Sequence, residues 1–331
     1  MFDLPAANRL PKAEIHVHLE GCFEVEQLVG LAAEAGVALP RRADLLFAFH
    51  GFDEFLEFLT WSCGLVRTPE HVARAAYRYA ERAAQAGIRY ADVIVNPCHW
   101  PTWKGALRGL VDALDAGWRE AEHDGLAKVG LCLSILRQQS AAEAIELVDA
   151  MIDLDHPRVV ALSIDGNEQL AGRTGPRFAE AFRRAGAAGF GRTVHAGESS
   201  GPEGVRDAID LLGADRIDHG VRAIHDADLV RELADRQIAL DICPSSNVVL
   251  GIVPDLASHP IDALRRAGVP VSVNTDDPAF LGVRLDHDYV KVADAFDWDR
   301  ETVRSIARTS IEHSFADPDT KSSILQELAV W

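Results

Sequence analysis

Short apolar runs alternate with longer segments of helical period along the chain, and this alternation limits the fold more than any other feature of the sequence. We predict eight strands, near residues 14–18, 90–97, 128–136, 158–164, 192–196, 215–219, 238–243 and 270–275. The amphipathic helical candidates between them include residues 70–80, 109–119 and 228–234. Alternating strands and helices imply a parallel sheet with right-handed crossovers. Eight such repeats favour closure into an α/β fold of the (β/α)8 TIM barrel type.

Residues 21–68 are too long for an ordinary strand-to-helix loop and carry a helical pattern of their own over 44–61. They predict a helical insertion after strand 1. The length of 331 residues suits one barrel, and no Pro/Gly/Ser-rich linker divides the chain. We therefore expect a single domain over residues 1–331. The glycine-rich signatures of Rossmann and P-loop nucleotide sites are missing from the sequence.

Charge and cysteine content exclude several kinds of partner. The formal net charge of −18 would repel both a nucleic acid backbone and an anionic membrane surface. A small-molecule substrate is expected instead, and the oligomeric state is left open. The five cysteines form no CxxC pair, and no export signal or membrane-spanning run is present. These features favour a cytoplasmic protein.

Histidines and an aspartate at predicted strand ends suggest a metal site. His16 and His18 are two residues apart on strand 1 and so project from the same face. The pair alone is as consistent with chance as with metal binding. His195 ends strand 5 and Asp276 ends strand 8, however, and the carboxyl ends of barrel strands meet at one rim. Three imidazoles and one carboxylate leave a position open for water, as in a catalytic zinc site.

Three further side chains are candidates for proton transfer or substrate binding. Glu198 lies three residues after His195 and could act as a proton donor, although a lone glutamate after a strand is usually solvated. His219, at the end of strand 6, could orient or deprotonate a metal-activated water, or could be an ordinary core histidine. Asp277 precedes a proline, which is typical of a helix start, but it could also hold substrate.

Taken together, five motifs resemble the adenosine deaminase family of metal-dependent amidohydrolases, and their order and spacing match from about residue 11 to 315. They are His-Val-His-Leu-Glu (16–20), His-Ala-Gly-Glu (195–198), Asp-His-Gly (218–220), Cys-Pro (243–244) and Asn-Thr-Asp-Asp-Pro (274–278). The resemblance implies one zinc ion per chain as cofactor. Its ligands would be His16, His18, His195 and Asp276.

The same resemblance implies a role for each remaining candidate. Activated water would attack the purine carbon that bears the amino group, and ammonia would leave. Glu198 would protonate the neighbouring ring nitrogen N1, and His219 would position the water. Asp277 would accept a hydrogen bond from protonated N7, while the backbone N–H of Gly166 would meet N3.

The substrate that this resemblance favours is a 6-aminopurine nucleoside, either adenosine or 6-aminodeoxyfutalosine. Glu20 stands where adenosine-specific members typically have an aspartate that meets the ribose, so free adenine is an alternative substrate. Cys-Pro-Ser-Ser-Asn (243–247) also favours adenine or 6-aminodeoxyfutalosine, whereas Gly-Asn-Glu (166–168) favours nucleosides. A catalytically silent zinc-binding or purine-binding barrel is a further alternative.

Overall fold

A computed structural model describes residues 2–49 and 51–331 of the chain. Eight parallel strands follow one another around the sheet in sequence order. They are β1 (Lys12–His18), β2 (Ile88–Val95), β3 (Lys128–Leu136), β4 (Val159–Asp165), β5 (Gly191–Ala196), β6 (Arg216–His219), β7 (Ala239–Ile242) and β8 (Val271–Val273). The predicted TIM barrel is therefore confirmed, with each predicted strand found close to its expected place.

The barrel closes where the first strand meets the segment that follows the last. Val17 forms a parallel bridge with Asp276. The backbone N–H of His18 donates to the carbonyl of Asp276 at 2.8 Å, and the N–H of Asp276 donates to the carbonyl of His16 at 3.2 Å. Asn274 extends this seam, because its side-chain Oδ1 accepts a hydrogen bond from the N–H of Ile15 at 2.9 Å.

The last predicted strand is too long at its carboxyl end. β8 stops at Val273, so Asp276 lies three residues beyond the strand that it was expected to end. The ladder to β1 is interrupted at Asn274, whose side chain and not its backbone accepts the N–H of Ile15, and the chain then turns at Asp276, which has a φ of +69°. The short loop after β8 is thus held to β1 by single bridges and by a side chain.

Helices connect the strands and enclose the sheet. They are α1 (Leu4–Arg9), α2 (Val25–Ala35), α3 (Phe52–Cys63), α4 (Pro69–Gln85), α5 (Leu107–His123), α6 (Ala141–Leu154), α7 (Glu168–Ala171), α8 (Gly175–Ala187), α9 (Pro202–Asp210), α10 (Ala227–Arg236), α11 (Pro244–Val249), α12 (Ile261–Arg266), α13 (Pro278–Leu281), α14 (Leu285–Ala295), α15 (Arg300–Glu312) and α16 (Pro318–Val330). The three helical segments predicted between strands fall within α4, α5 and α10.

Two helices, α2 and α3, lie in residues 21–68, between β1 and α4. The pattern over 44–61 predicted a helix that starts too early, since α3 begins at Phe52 after Gly51, whose φ is +116°. His50, inside the predicted range, lies outside the described residues. Phe55, Leu56 and Leu59 of α3 line a cavity at the carboxyl ends of the strands. Among the helices of the described residues, none has the length and apolar character needed to cross a membrane.

Candidate metal centre and active site

Side chains from β1, β5 and the β8 loop converge at the carboxyl rim of the barrel. His195 Nε2 lies 3.1 Å from His16 Nε2 and 3.0 Å from His18 Nε2. Asp276 Oδ1 lies 3.5 Å from Nε2 of both His16 and His18. The four residues expected as metal ligands are thus brought together, although they lie up to 260 positions apart in the sequence.

The spacing and protonation of these atoms fit a divalent metal. Ligands bound at about 2.0 to 2.1 Å to a tetrahedral ion lie about 3.3 Å apart, which is close to the observed separations. His16 Nδ1 lies 2.8 Å from the carbonyl oxygen of Asp241, so it carries the proton and leaves a lone pair on Nε2. His195 Nδ1 lies 3.1 Å from the Asp218 carboxylate, which has the same effect. Two facing lone pairs at 3.1 Å repel unless a cation lies between them.

His219 lies next to this set. One ligand atom from each of His16, His195, His219 and Asp276 falls within 4.8 Å of every other, which also makes these four a possible metal group. His219 Nε2 is 3.9 Å from Asp276 Oδ2 and 3.5 Å from Glu198 Oε1. His219 therefore faces both the metal centre and the candidate proton donor.

Two of these residues have a strained backbone. His219 has a φ of +65° and Asp276 a φ of +69°, both in the left-handed region that favours glycine. Each follows or ends a barrel strand, and the turn directs its side chain across the rim. Strain of this kind concentrates at functional sites, where the surrounding structure maintains it.

The loop after β5 places Glu198 beside the metal centre. One carboxylate, that of Glu168, accepts hydrogen bonds from the backbone N–H groups of Gly197, Glu198, Ser199 and Ser200, at 2.9 to 3.2 Å. Burial, together with the negative charge of nearby carboxylates, raises the pKa of Glu198 to about 8. Glu198 is therefore protonated at neutral pH, as a proton donor must be.

Arg137, on the loop after β3, supports the same loop from below. Its guanidinium donates to the backbone carbonyl of His195 and, at 2.7 Å, to the Thr174 hydroxyl. It also lies 3.9 Å from Glu168 Oε1 and compensates that buried carboxylate. Sequence reasoning did not single out Arg137 or Glu168, although Glu168 closes the Gly-Asn-Glu motif and was visible there.

The expected substrate residues line the same cavity as His18, His195, Glu198 and His219. Asp277 Oδ1 and Glu20 Oε2 are buried and have no hydrogen-bond partner among the described residues. Burial and the neighbouring charges of Asp276 and Glu20 raise the pKa of Asp277 well above its usual range. Gly166 also lines this cavity and has a φ of +99°.

Glu20 is fixed by residues that the sequence did not indicate. Its Oε1 accepts hydrogen bonds from the indole N–H of Trp100 and from the backbone N–H of Asn96, both at 2.7 Å. Trp100 is fully buried. Burial raises the pKa of Glu20 to about 8.

An eight-stranded barrel with this rim defines a hydrolase of the amidohydrolase type, with side chains suited to a divalent metal. The sequence model of the family described as adenosine deaminase matches residues 11–331, and the chain belongs to that family. It is therefore a hydrolase that acts on C–N bonds.

Curated relatives cover almost the whole chain. A protein named adenine deaminase from Rhizobium leguminosarum bv. trifolii is 33% identical over 320 residues, which are 96% of this chain and 99% of the relative. Another adenine deaminase, from Agrobacterium fabrum, is 35% identical over 327 residues, covering 97% of this chain and 98% of the relative. These matches support a purine deaminase.

Solved structures agree with this assignment. The crystal structure of adenine deaminase from Arthrobacter aurescens superposes with a TM-score of 0.91 at 30% identity, covering 97% of this chain and 99% of that one. A zinc-bound amidohydrolase from Burkholderia ambifaria superposes with a TM-score of 0.90 at 29% identity, covering 99% of this chain and 92% of that one. The fold is thus shared with proteins of this hydrolase class.

Proposed function

We propose that the chain hydrolyses free adenine to hypoxanthine and ammonia, with one zinc ion per chain. The names of the relatives support adenine as the substrate. The observation that carries the choice of free base over nucleoside is the buried Glu20, whose Oε2 faces the cavity without a protein partner. This preference replaces the nucleoside as the first candidate, because the residue at this position typically meets the ribose in the adenosine-specific members that the sequence resembles.

Two buried carboxyl groups suit the hydrogen-bonding pattern of free adenine. In its common tautomer the free base carries a proton on N9 and a lone pair on N7, so it needs an acceptor at one edge and a donor at the other. A substrate N–H favours the ionised form of a carboxyl group, so Glu20, whose pKa is about 8 without substrate, binds N9–H as a carboxylate through Oε2. Asp277 has a strongly raised pKa and supplies the proton for N7, after which its carboxylate accepts the hydrogen bond from the protonated nitrogen. An N9 sugar removes the N–H and leaves the buried Glu20 oxygen without a partner, which costs about 1 to 3 kcal/mol.

The environment of Glu20 also leaves little room for a ribose. Trp100 and the backbone of Asn96 hold one carboxylate oxygen, so the side chain cannot swing aside without losing two hydrogen bonds. An aspartate at this position would be shorter by one methylene and would withdraw from the cavity. The glutamate therefore acts both as a polar contact and as a steric stop.

Catalysis combines an activated water with proton transfer by Glu198. Zinc, when bound by His16, His18, His195 and Asp276, supplies a water that ionises near neutral pH. Glu198, with its pKa raised to about 8, donates its proton to N1 of the ring. Protonation makes C6 more electrophilic, so that water adds there. The C6–N bond then breaks as one proton of the added water moves to the departing nitrogen, which leaves as ammonia, and the other returns to Glu198. The 6-oxo product remains with the donated proton on N1.

Ammonia release from purified protein tests this proposal. Adenine, adenosine and 6-aminodeoxyfutalosine would be compared at equal concentrations. We expect kcat/KM for adenine to exceed that for adenosine by about 100-fold or more, as for a site whose buried polar group needs a substrate N–H. Equal or higher activity on a nucleoside would contradict the choice of substrate. Tight purine binding without turnover would favour the silent binding protein.

The Glu20→Asp variant tests the carboxylate that carries the proposal. The variant should have a lower kcat/KM for adenine and a higher ratio of adenosine to adenine activity, because the shorter side chain no longer blocks the space for a ribose. Glu26→Gln, at an outward-facing glutamate of α2, serves as the control and should change neither rate. Metal analysis of the purified chain should find one zinc per chain, and chelation followed by zinc addition should abolish and restore activity.

A further inference from the structure

Four groups form a continuous hydrogen-bonded line from the start of α12 to the active site. The N–H of Ile261 lies 3.1 Å from His259 Nδ1, and His259 Nε2 lies 3.2 Å from Asn247 Oδ1. Asn247 Nδ2 lies 3.4 Å from His219 Nδ1. The three side chains are almost fully buried, at 3% exposure for His259, 0% for Asn247 and 1% for His219.

The direction of this line is set at its outer end by the backbone. A peptide N–H can only donate, so the Ile261 N–H requires a lone pair on His259 Nδ1. The proton of the neutral His259 ring is then on Nε2. His259 therefore donates to its next neighbour and cannot accept from it.

The same reasoning fixes the orientation of the Asn247 amide. Because His259 Nε2–H needs an acceptor, the carbonyl oxygen of Asn247 must face His259. The amide NH2 then faces His219. The oxygen and nitrogen of the Asn247 amide are thus distinguished by the hydrogen bonds alone, because the N–H of Ile261 fixes the proton position on His259 and that proton fixes the amide.

We propose that His259 and Asn247 are positioning residues that hold His219 as the tautomer with its proton on Nε2. His219 Nδ1 accepts from the Asn247 amide, so Nε2–H points into the active site. Carboxyl oxygens of Glu198 and Asp276 lie 3.5 Å and 3.9 Å from that nitrogen, so the N–H faces oxygen atoms on this side of the ring. His219 thus enters catalysis as a hydrogen-bond donor.

This assignment deepens the proposed function, on which its catalytic meaning rests. A donor at Nε2 can hold the oxygen of the attacking water by a lone pair and keep it directed at the purine carbon. To take a proton from that water, Nε2 would first have to lose its own. The proton would then move to Nδ1 and confront the Asn247 NH2, so two donors would face each other in a buried site. Of the two roles expected from the sequence, orienting the water is retained and deprotonating it is excluded.

Nitrogen NMR of the zinc-loaded protein, labelled with 15N-histidine, tests the tautomer directly. The signals of His219 are assigned by their loss in His219→Gln. We expect a pyridine-type shift for Nδ1 and a pyrrole-type shift for Nε2 in the unsubstituted protein. The opposite assignment would overturn the proposal, and this result needs no variant of Asn247 to fold.

Asn247→Asp reverses the polarity of the line. The new carboxylate can only accept, so it favours a proton on His219 Nδ1. We expect the His219 Nδ1 signal to become pyrrole-type and kcat to fall by about 10- to 100-fold with little change in KM. An unchanged His219 spectrum in a folded Asn247→Asp protein would contradict the positioning role.

Ser245→Ala is the matched control on the same helix. Ser245 donates to Asp288 at 2.6 Å, away from His219, so its loss should leave the His219 tautomer as it is.

The NMR spectrum is recorded without substrate and therefore tests the tautomer separately from the proposed deaminase activity. If adenine is not deaminated but the predicted tautomer is found, only the proposed function fails. If adenine is deaminated and the tautomer is reversed, only the positioning role fails.

Discussion

Asp218 Oδ2 lies 3.1 Å from His195 Nδ1, on the side of the imidazole that faces away from the other metal-ligand candidates. The other oxygen of Asp218 accepts a hydrogen bond from the Thr193 hydroxyl at 2.6 Å. Asp218 and Thr193 are both fully buried, so the Asp218 carboxylate has one fixed orientation. Asp218 therefore holds the His195 ring in place and makes Nε2 a better electron donor.

Asp218→Asn should weaken metal binding without removing a ligand. An amide lacks the charge that favours a proton on His195 Nδ1, and we expect the affinity for zinc to fall by about 10- to 100-fold. Titration of the metal-free protein with zinc in a competing chelator measures this change. Asp210→Asn, at an exposed residue of α9, removes the same charge and should leave the affinity unaltered. Equal affinities in the two variants would count against the role of Asp218.

Glu198→Gln should abolish most of the activity while adenine still binds. The amide retains the size of the side chain but cannot deliver a proton to N1, so kcat should fall by about 100- to 10,000-fold. Steady-state kinetics and calorimetric binding of a purine measure the two effects separately. Glu203→Gln, at an exposed glutamate of α9, is the control and should keep full activity. A Glu198→Gln protein as active as the parent would remove the proposed proton donor.

Glu168→Gln should damage both stability and turnover. The amide can present one acceptor oxygen but also turns an NH2 toward backbone N–H groups, so several of the bonds that organise residues 197–200 are lost. We expect the free energy of unfolding to fall by about 2 to 3 kcal/mol. Glu180→Gln breaks only surface pairs with Arg183 and Arg184 and should leave the free energy of unfolding nearly unchanged, because exposed pairs of this kind contribute little. Urea unfolding and kcat measured on both variants would show whether Glu168 differs from a surface carboxylate.

His259 should make the fold less stable in acid. Burial lowers the pKa of His259 to about 4, whereas in the unfolded chain it is near 6.5. Between these values the unfolded chain binds more protons, so stability falls as the pH drops from about 6.5 to 4. The contribution amounts to about 3 kcal/mol at the acid end. His259→Gln should flatten the pH dependence of urea unfolding in this window, and an unchanged slope would contradict the assignment.

The order of elements, and the set of side chains that converge at the candidate metal centre, could be predicted from sequence, because both depend on local patterns. Strand and helix periods identify a closed barrel, and a closed barrel by itself brings strand ends such as those before His195 and Asp276 to one rim. The ends of the strands were less accurate. The left-handed turn at Asp276 leaves no trace in hydrophobic periodicity, so β8 was extended too far.

The residues that orient the site could not be predicted in the same way. Asn247 and His259 act through side-chain contacts across 12 and 28 positions of sequence, and neither has a distinctive spacing from His219. Trp100 and Glu20 meet only because β1 and β2 are neighbours in the sheet. Glu168 belongs to the Gly-Asn-Glu motif (166–168), but the sequence does not show that its carboxylate accepts hydrogen bonds from four peptide N–H groups. That role depends on how the loop after β5 folds back toward Glu168.

The bridge between Val17 and Asp276 places three of the four expected metal ligands, His16, His18 and Asp276, on the same seam that closes the barrel. A folding chain consequently cannot assemble the metal centre until segments far apart in sequence have met, which makes binding of the ion a late event. Once bound, the ion ties the two margins of the sheet together from the inside. Removal of the metal by a chelator should therefore weaken the pairing between β1 and the loop after β8 first. Amide hydrogen exchange at His18 and Asp276 should then accelerate before exchange in the other strands does.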